Sequence, residues 1–337
     1  MLAVEATVET LPAADLNRLP DDVMQAARPR VLEGLAADWP LVKAGDASPE
    51  AALDYLGEFD PGATVGAFFG DAAEGGRVFY NADMTGFNYQ PVKLPLKELL
   101  AHLRRALNDP KAPMMYLGST TVDAVLPGLR AANDVDIPDQ KPLVSIWLGN
   151  RSRIAAHHDL PDNLAVNAAG RRRFILFPPD QLPNLYVGPI DFTPAGQAIS
   201  LVDFHHPDLE RFPRFAEALA SAQVAELAPG DAIYIPSMWW HHVESLDTFN
   251  VLINYWWRRS PAFMGQPMDV LLHALLTLRD LPADQRQAWQ RQFEHYVFES
   301  EPGQFDHIPE HRKGVLSELD DTTARQVRAQ LLNKLNR

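Results

Sequence analysis

The sequence predicts a mainly β protein, a sandwich or barrel of short strands flanked by N-terminal α/β elements and a C-terminal helical region. Three observations predict it. Between Met114 and Arg258 short apolar or alternating runs recur, divided by Pro, Gly, Asn and Asp, which is the pattern of many strands joined by turns. Past Pro261 that pattern gives way to apolar residues at helical spacing. A hydrophobic content of 46% over 337 residues supplies a substantial core. The expected divisions are 1–112, 113–260 and 261–337.

Taken in order, residues 1–60 mix short helical stretches with one strand-like piece, Arg30–Leu35, which ends in a turn at Asp38-Trp39-Pro40. A Gly-rich loop from Gly70 to Gly76 leads into a strand at Val78–Tyr80. Leu94–Leu107 has leucines at helical spacing with Lys and Arg between them, so an amphipathic helix is expected there. The strands of the central region are Met114–Leu117, Leu143–Leu148, Arg173–Phe177, Gln223–Leu227, Ala232–Ile235 and Asn250–Trp257. Helices follow at Met268–Leu278, Ala283–Phe298 and Asp320–Leu335. Their apolar faces, Leu271, Leu272 and Leu275 among them, need cover. A homodimer through these helices is the expectation.

The chain has no cysteine, so disulfides, zinc–thiolate sites, iron–sulfur clusters and cysteine nucleophiles are excluded. Any metal must sit on nitrogen and oxygen. The formal charge of −14 repels phosphate backbones, so nucleic acid is not an expected partner. No apolar run reaches membrane-span length, and no targeting segment is visible, so neither a membrane partner nor export is expected. The expected location is cytoplasmic.

The chemistry concentrates in Ala155-Ala156-His157-His158-Asp159. In a strand, residues i and i+2 share a face, so His157 and Asp159 project together while His158 points away. An imidazole and a carboxylate so placed chelate one ion, and one further ligand completes a facial triad with open positions. That third ligand is sought in Pro229-Gly230-Asp231, a tight turn, followed by strand Ala232–Ile235 and a bend from Pro236. By spacing, either His241 or His242 fits, and in an extended segment only one of them can face the first pair.

These segments resemble the jumonji-C branch of the cupin superfamily, nearest to its asparaginyl hydroxylases. The resemblance rests on His157-x-Asp159, on Gly170-Arg171-Arg172-Arg173 running into Phe174–Pro179, and on PGDAIYIPSMWWHHVES at 229–245. It extends to Val202-Asp203-Phe204, Pro207–Pro213 and Asn254-Tyr255-Trp256, and covers about Arg28 to Pro261. It implies a double-stranded β-helix of the jelly-roll or cupin type, and it selects His241 as the distal ligand. It further implies Fe(II), dioxygen, and 2-oxoglutarate as cosubstrate. By the same resemblance Arg172 receives the far carboxylate with Tyr116 beside it, and Asn163 and Asn254 line the same pocket. Two departures stand out: the asparaginyl hydroxylases carry a lysine where Arg172 stands and a threonine where Ile154 stands. Arginine keeps the charge with altered geometry, whereas isoleucine removes a hydroxyl. Arg171 and Arg173 fall on the other strand face and read as solvated charges, and His205 and His206 read as loop residues.

The function implied is a 2-oxoglutarate-dependent dioxygenase, a hydroxylase of a protein or peptide side chain. The alternatives are a hydroxylase or demethylase acting on a small molecule or methylated residue, and a non-catalytic metal-binding cupin module. For the substrate, Tyr80, Asn81 and Trp256, with Phe87 nearby, are the expected contacts at the mouth.

Overall fold

Side chains alternate across a strand, so a strand buried at every position must be covered on both faces. A computed structural model, which describes residues 4–336 apart from 15, 17 and 195, shows several such strands around one cavity. In chain order the strands are β1 (Thr10–Pro12), β2 (Arg30–Glu33), β3 (Thr64–Gly70), β4 (Arg77–Val78), β5 (Tyr89–Pro95), β6 (Met114–Thr121) and β7 (Leu143–Gly149). They continue with β8 (Ser152–His157), β9 (Asp162–Ala169), β10 (Arg172–Phe177), β11 (Gln223–Leu227), β12 (Ala232–Ile235), β13 (Trp240–Ser245) and β14 (Asn250–Trp257).

Nine of them form one sheet, ordered β1-β2-β12-β9-β14-β7-β6-β3-β5, and five form a second, β11-β10-β13-β8-β4. Most neighbours are antiparallel; β1 with β2 and β4 with β8 are parallel. From β7 to β10 successive strands switch sheets, and β11 to β14 switch again. The sheets meet in a core where Phe174, Leu176 and Val243 of the smaller pack with Ala165, Ile233 and Leu252 of the larger. Among the described residues the two sheets share no ladder, so the expected barrel is an open sandwich rather than a closed one.

Some elements escape the sequence pattern for identifiable reasons. β9 reads Asp-Asn-Leu-Ala-Val-Asn-Ala-Ala and is buried at all eight positions. It therefore lacks polar–apolar alternation, and Asn and Ala are weak strand formers. The helix expected over Leu94–Leu107 spans Leu96–Ala106, with Leu96, Leu99, Leu100 and Leu103 buried along one stripe. Leu94 and Pro95 belong instead to β5, paired with Val65 and Thr64 of β3, because extended Pro95 ends one element and starts the next. Two further helices, Pro40–Ala47 and Pro49–Gly57, begin on prolines; the second is capped by Ser48, whose hydroxyl accepts the Ala51 N–H at 3.0 Å.

Contacts divide the described chain into one unit up to Arg259 and a second from Ser260 onward. The first 112 residues thus contribute β1 to β5 to the same two sheets as the strands that follow. The second unit has helices Pro267–Thr277, Ala283–Phe293 and Asp321–Leu335, the last opened by an Asp320–Thr323 capping box. Ala324 is its one buried residue among those described, while Leu276 and Phe298 are 80% and 76% exposed. No helix among the described residues is long and apolar enough to cross a membrane.

Candidate metal centre

Two strands and a turn bring the ligand candidates together. His241 on β13 lies opposite His157 on β8, but the next partners are Val243 and Ile154, so three steps on β8 face two on β13. That bulge turns both Ile154 and His157 toward the interior, although strict alternation would send them to opposite faces. β8 ends at His157, so Asp159 comes from the following turn and not from a shared strand edge. The Asp159 carbonyl accepts the Met238 N–H at 2.9 Å. Met238 sits at φ 68 in the bend after Pro236, a conformation uncommon for a residue with a side chain. Asp162, itself buried, accepts from Ser237 N–H (3.0 Å), the Tyr234 hydroxyl (3.1 Å) and the Arg259 guanidinium (2.7 and 3.0 Å). These bonds fix the bend that aims His241.

The result is a cluster. His157, Asp159 and His241 each offer one ligand atom, all within 4.8 Å of one another, with His241 Nε2 3.7 Å from Asp159 Oδ2. His157 Nδ1 donates to the Ala155 carbonyl at 2.9 Å and His241 Nδ1 to the Trp239 carbonyl at 3.0 Å. A carbonyl only accepts, so each Nδ1 carries the proton and each Nε2 keeps a lone pair for a metal. Burial, and then the adjacent His157, push His241 down to about 4, so it is neutral at pH 7. The chemistry of this set is that of a divalent-ion site with open positions.

Geometry also separates the two histidines that spacing alone left open. His242 points away from the cluster: its Nε2 donates to Glu244 Oε1 at 3.0 Å, and His205 Nε2 donates to the same oxygen at 2.7 Å. Burial alone raises a carboxyl, but here the His242 and His205 N–H groups override it and hold Glu244 at about 2. His205 is therefore tied to a buried carboxylate and is not merely a loop residue. Arg173 likewise pairs with Glu226 at 2.8 Å and lies 3.7 Å from Glu244, whereas Arg171 is exposed against Asp247.

A cavity of about 300 Å³ holds the cluster, and alternate residues of β14 (Leu252, Asn254, Trp256) and β10 (Arg172, Phe174) line it. Arg172 is 2% exposed, and its Nε finds no acceptor among the described residues. Burial lowers it to about 10, against an opposing pull from Tyr116. Tyr116 lines the same wall, its hydroxyl pushed upward by burial. It is seated where β6 meets β7 at Gly149, since a Cβ there would lie 2.3 Å from the Met115 carbonyl oxygen. Asn254 Nδ2 donates to Asn163 Oδ1 at 2.8 Å, and Asn254 Oδ1 finds no partner among the described residues. Ile154 also lines the cavity, an apolar surface in place of a hydroxyl.

Of the expected substrate contacts, Trp256 lines the cavity. Tyr80 and Asn81 line a separate groove with Arg77 and Asp203, and the Tyr80 hydroxyl donates to the Phe192 carbonyl at 2.6 Å. Trp147, Ser119 and Gln197 line the cavity as well, and sequence reasoning passed over all three. Trp147 was recoverable, since it lies in an alternating run; Gln197 lies in an irregular segment without a periodic signal.

Comparison with known proteins gives matches of the same kind. The profile of one protein family, the cupin-like domain, matches residues 17–263. The chain is 31% identical over 150 residues to the tRNA wybutosine-synthesizing protein 5 of Gallus gallus, covering 40% of this chain and 44% of that protein. It is 36% identical over 133 residues to the lysine-specific demethylase JMJ31 of Arabidopsis thaliana, covering 37% and 23%. It is also 36% identical over 114 residues to HSPB1-associated protein 1 of Rattus norvegicus, covering 33% and 23%. The chain thus spans less than half the length of the curated relatives it matches.

Proposed function

The chain belongs to the cupin-like domain family, of the jumonji-C type with hydroxylase and demethylase relatives, and from that premise we propose that it is an Fe(II)- and 2-oxoglutarate-dependent oxygenase that hydroxylates a protein or peptide side chain. One observation carries the reading. Two imidazoles and a carboxylate converge in a cavity that also holds a buried guanidinium with no carboxylate partner among the described residues. A cation so buried is costly unless an anion joins it.

The residues fit the groups they would hold. His157, Asp159 and His241 would take Fe(II), and Asp159 would offset part of its charge. Arg172, with Tyr116, would take the distal carboxylate of 2-oxoglutarate by charge-assisted hydrogen bonds. The free Oδ1 of Asn254 and the amide of Asn163 supply neutral polar groups on the same wall. When bound, iron with 2-oxoglutarate and dioxygen supplies oxidative decarboxylation to succinate and carbon dioxide, together with the oxidising power to hydroxylate a C–H bond. The chain's own part is to orient and to exclude water, for which Trp256, Trp147 and Leu252 form an apolar wall. Relatives are named for tRNA, lysine and protein partners. The charge of −14 disfavours a polyanion, which supports a peptide over a nucleic acid.

Anaerobic titration with Fe(II) and 2-oxoglutarate tests this. The expected result is a weak visible charge-transfer band that needs both additions. A protein that binds Fe(II) but shows no band with 2-oxoglutarate is instead a non-catalytic cupin or another metal enzyme.

We also propose that the second unit pairs with another copy of itself. Its helices expose Leu276, Phe298, Val270 and Leu332, and it carries nine basic against eleven acidic residues, so little of the chain's charge opposes association. Light scattering is expected to give twice 37.6 kDa for the wild type and 37.6 kDa for Leu276→Asp/Phe298→Asp. A monomeric wild type removes the idea.

A further inference from the structure

The long connection from β10 to β11 contains a hairpin that reaches the cavity through Gln197 and is held from outside itself. Val187 and Ser200 form a bridge, flanked by Gly188 N–H to the Ile199 carbonyl (2.9 Å) and Leu201 N–H to the Tyr186 carbonyl (3.1 Å). The base of this hairpin docks next to a ligand candidate: Ser200 N–H donates to the Ala156 carbonyl at 2.8 Å, one residue before His157. Gln197, following Gly196 at φ +88, lines the metal cavity.

The tip is clamped by residues from the β4–β5 region. The Tyr80 hydroxyl donates to the Phe192 carbonyl at 2.6 Å, and the Tyr89 hydroxyl donates to the Pro194 carbonyl. Phe192 stacks on Phe87 (centroids 4.9 Å, 17°), which stacks in turn on Tyr89 (5.3 Å, 5°). A covering segment with a short ladder at its base and two phenol bonds at its tip opens by breaking the tip contacts first, because they are few and do not propagate along a ladder.

We infer that residues 187–194 and 196–200 form a lid over the metal cavity, and that Tyr80 and Tyr89 are positioning residues whose hydroxyls hold it closed and keep Gln197 facing the site. For what passes beneath the lid the inference rests on the oxygenase reading; the lid itself does not. Tyr80→Phe/Tyr89→Phe removes only the two hydroxyls and keeps the ring stack. Each neutral hydrogen bond contributes about fivefold to an equilibrium, so opening rises by roughly 25-fold for the pair.

The test is amide hydrogen exchange on the Co(II)-loaded full chain. Exchange over 186–201 is expected to quicken by at least about tenfold in the double variant, while β13 and β14 exchange as in the wild type. Phe192→Ala is expected to quicken the same segment. Unchanged lid exchange overturns the inference, and so does equal acceleration throughout β13 and β14, since the tyrosines would then hold the fold and not a lid. A second arm follows 2-oxoglutarate by stopped flow on the same Co(II) protein. Its association and dissociation rates should rise together with Kd unchanged, and rates that stay as in the wild type, or a change confined to one of them, contradict gating. If the wild type does not bind 2-oxoglutarate at all, the oxygenase reading falls and the exchange result alone decides the lid.

Discussion

His157→Ala is expected to lose Fe(II) affinity by at least about 100-fold and to release no succinate. Removing a group that merely supports a ligand costs 10- to 100-fold, so removing a ligand costs no less. The fold should survive. His157 gives one hydrogen bond, to Ala155, and lies half-buried on a cavity wall, so truncation opens space already continuous with the cavity. Metal content by elemental analysis, read beside circular dichroism, separates loss of the site from loss of structure. His242→Ala makes the contrast, because its ring faces Glu244 and Phe204 on the other side of β13. It should retain the metal while losing stability. Full succinate formation by His157→Ala would falsify the ligand assignment.

Arg172→Met should act in opposite directions on binding and on stability. Losing one partner of a buried charge pair costs about 2–5 kcal/mol, so affinity for 2-oxoglutarate falls by roughly 30-fold to several thousandfold. Without cosubstrate, however, the guanidinium is a buried charge that lacks a counter-ion among the described residues. Its descent from the ordinary guanidinium range to about 10 corresponds to roughly 3 kcal/mol at most, which methionine of similar length removes. The ligand-free variant should therefore melt at or above the wild-type temperature. Because burial lowers the pKa of this base, the penalty is full below about pH 10 and fades only as pH rises from there toward the ordinary guanidinium range, so the two proteins should begin to converge above pH 10. Arg172→Lys keeps a charge without the bidentate fork and should lose less affinity. Thermal melts with and without 2-oxoglutarate measure both effects. A variant that melts far below wild type, yet binds 2-oxoglutarate normally, contradicts the role given to Arg172.

Much of this was legible in the letters because strand parity does the work. Arg172 and Phe174, then Leu252, Asn254 and Trp256, reach the cavity as alternate residues of one strand each, and the run of apolar residues between turn signals located both strands. The Pro-Gly-Asp turn was readable for a comparable reason: Gly230 at φ +91 needs no Cβ, and Asp231 accepts the Gly34 and Ala228 N–H groups at 2.9 Å. What parity could not supply was a break in parity. The β8 bulge puts Ile154 and His157 on one wall, and Asp159 arrives from a turn held by Met238, which no local pattern announces. β9 was hidden because burial on both faces erases alternation. Tyr80 was expected at the substrate because an aromatic near a mouth looks like a contact. Its hydroxyl is instead bound to a carbonyl more than a hundred residues away, a pairing that only tertiary structure defines.

The most direct measurement is anomalous diffraction at the iron edge from crystals grown anaerobically with Fe(II) and 2-oxoglutarate. The expected map has one strong iron peak bonded to Nε2 of His157, Nε2 of His241 and a carboxylate oxygen of Asp159. Density for the keto acid should run from that peak to the Arg172 guanidinium. A peak on any other set of side chains, or 2-oxoglutarate turned away from Arg172, would contradict the account.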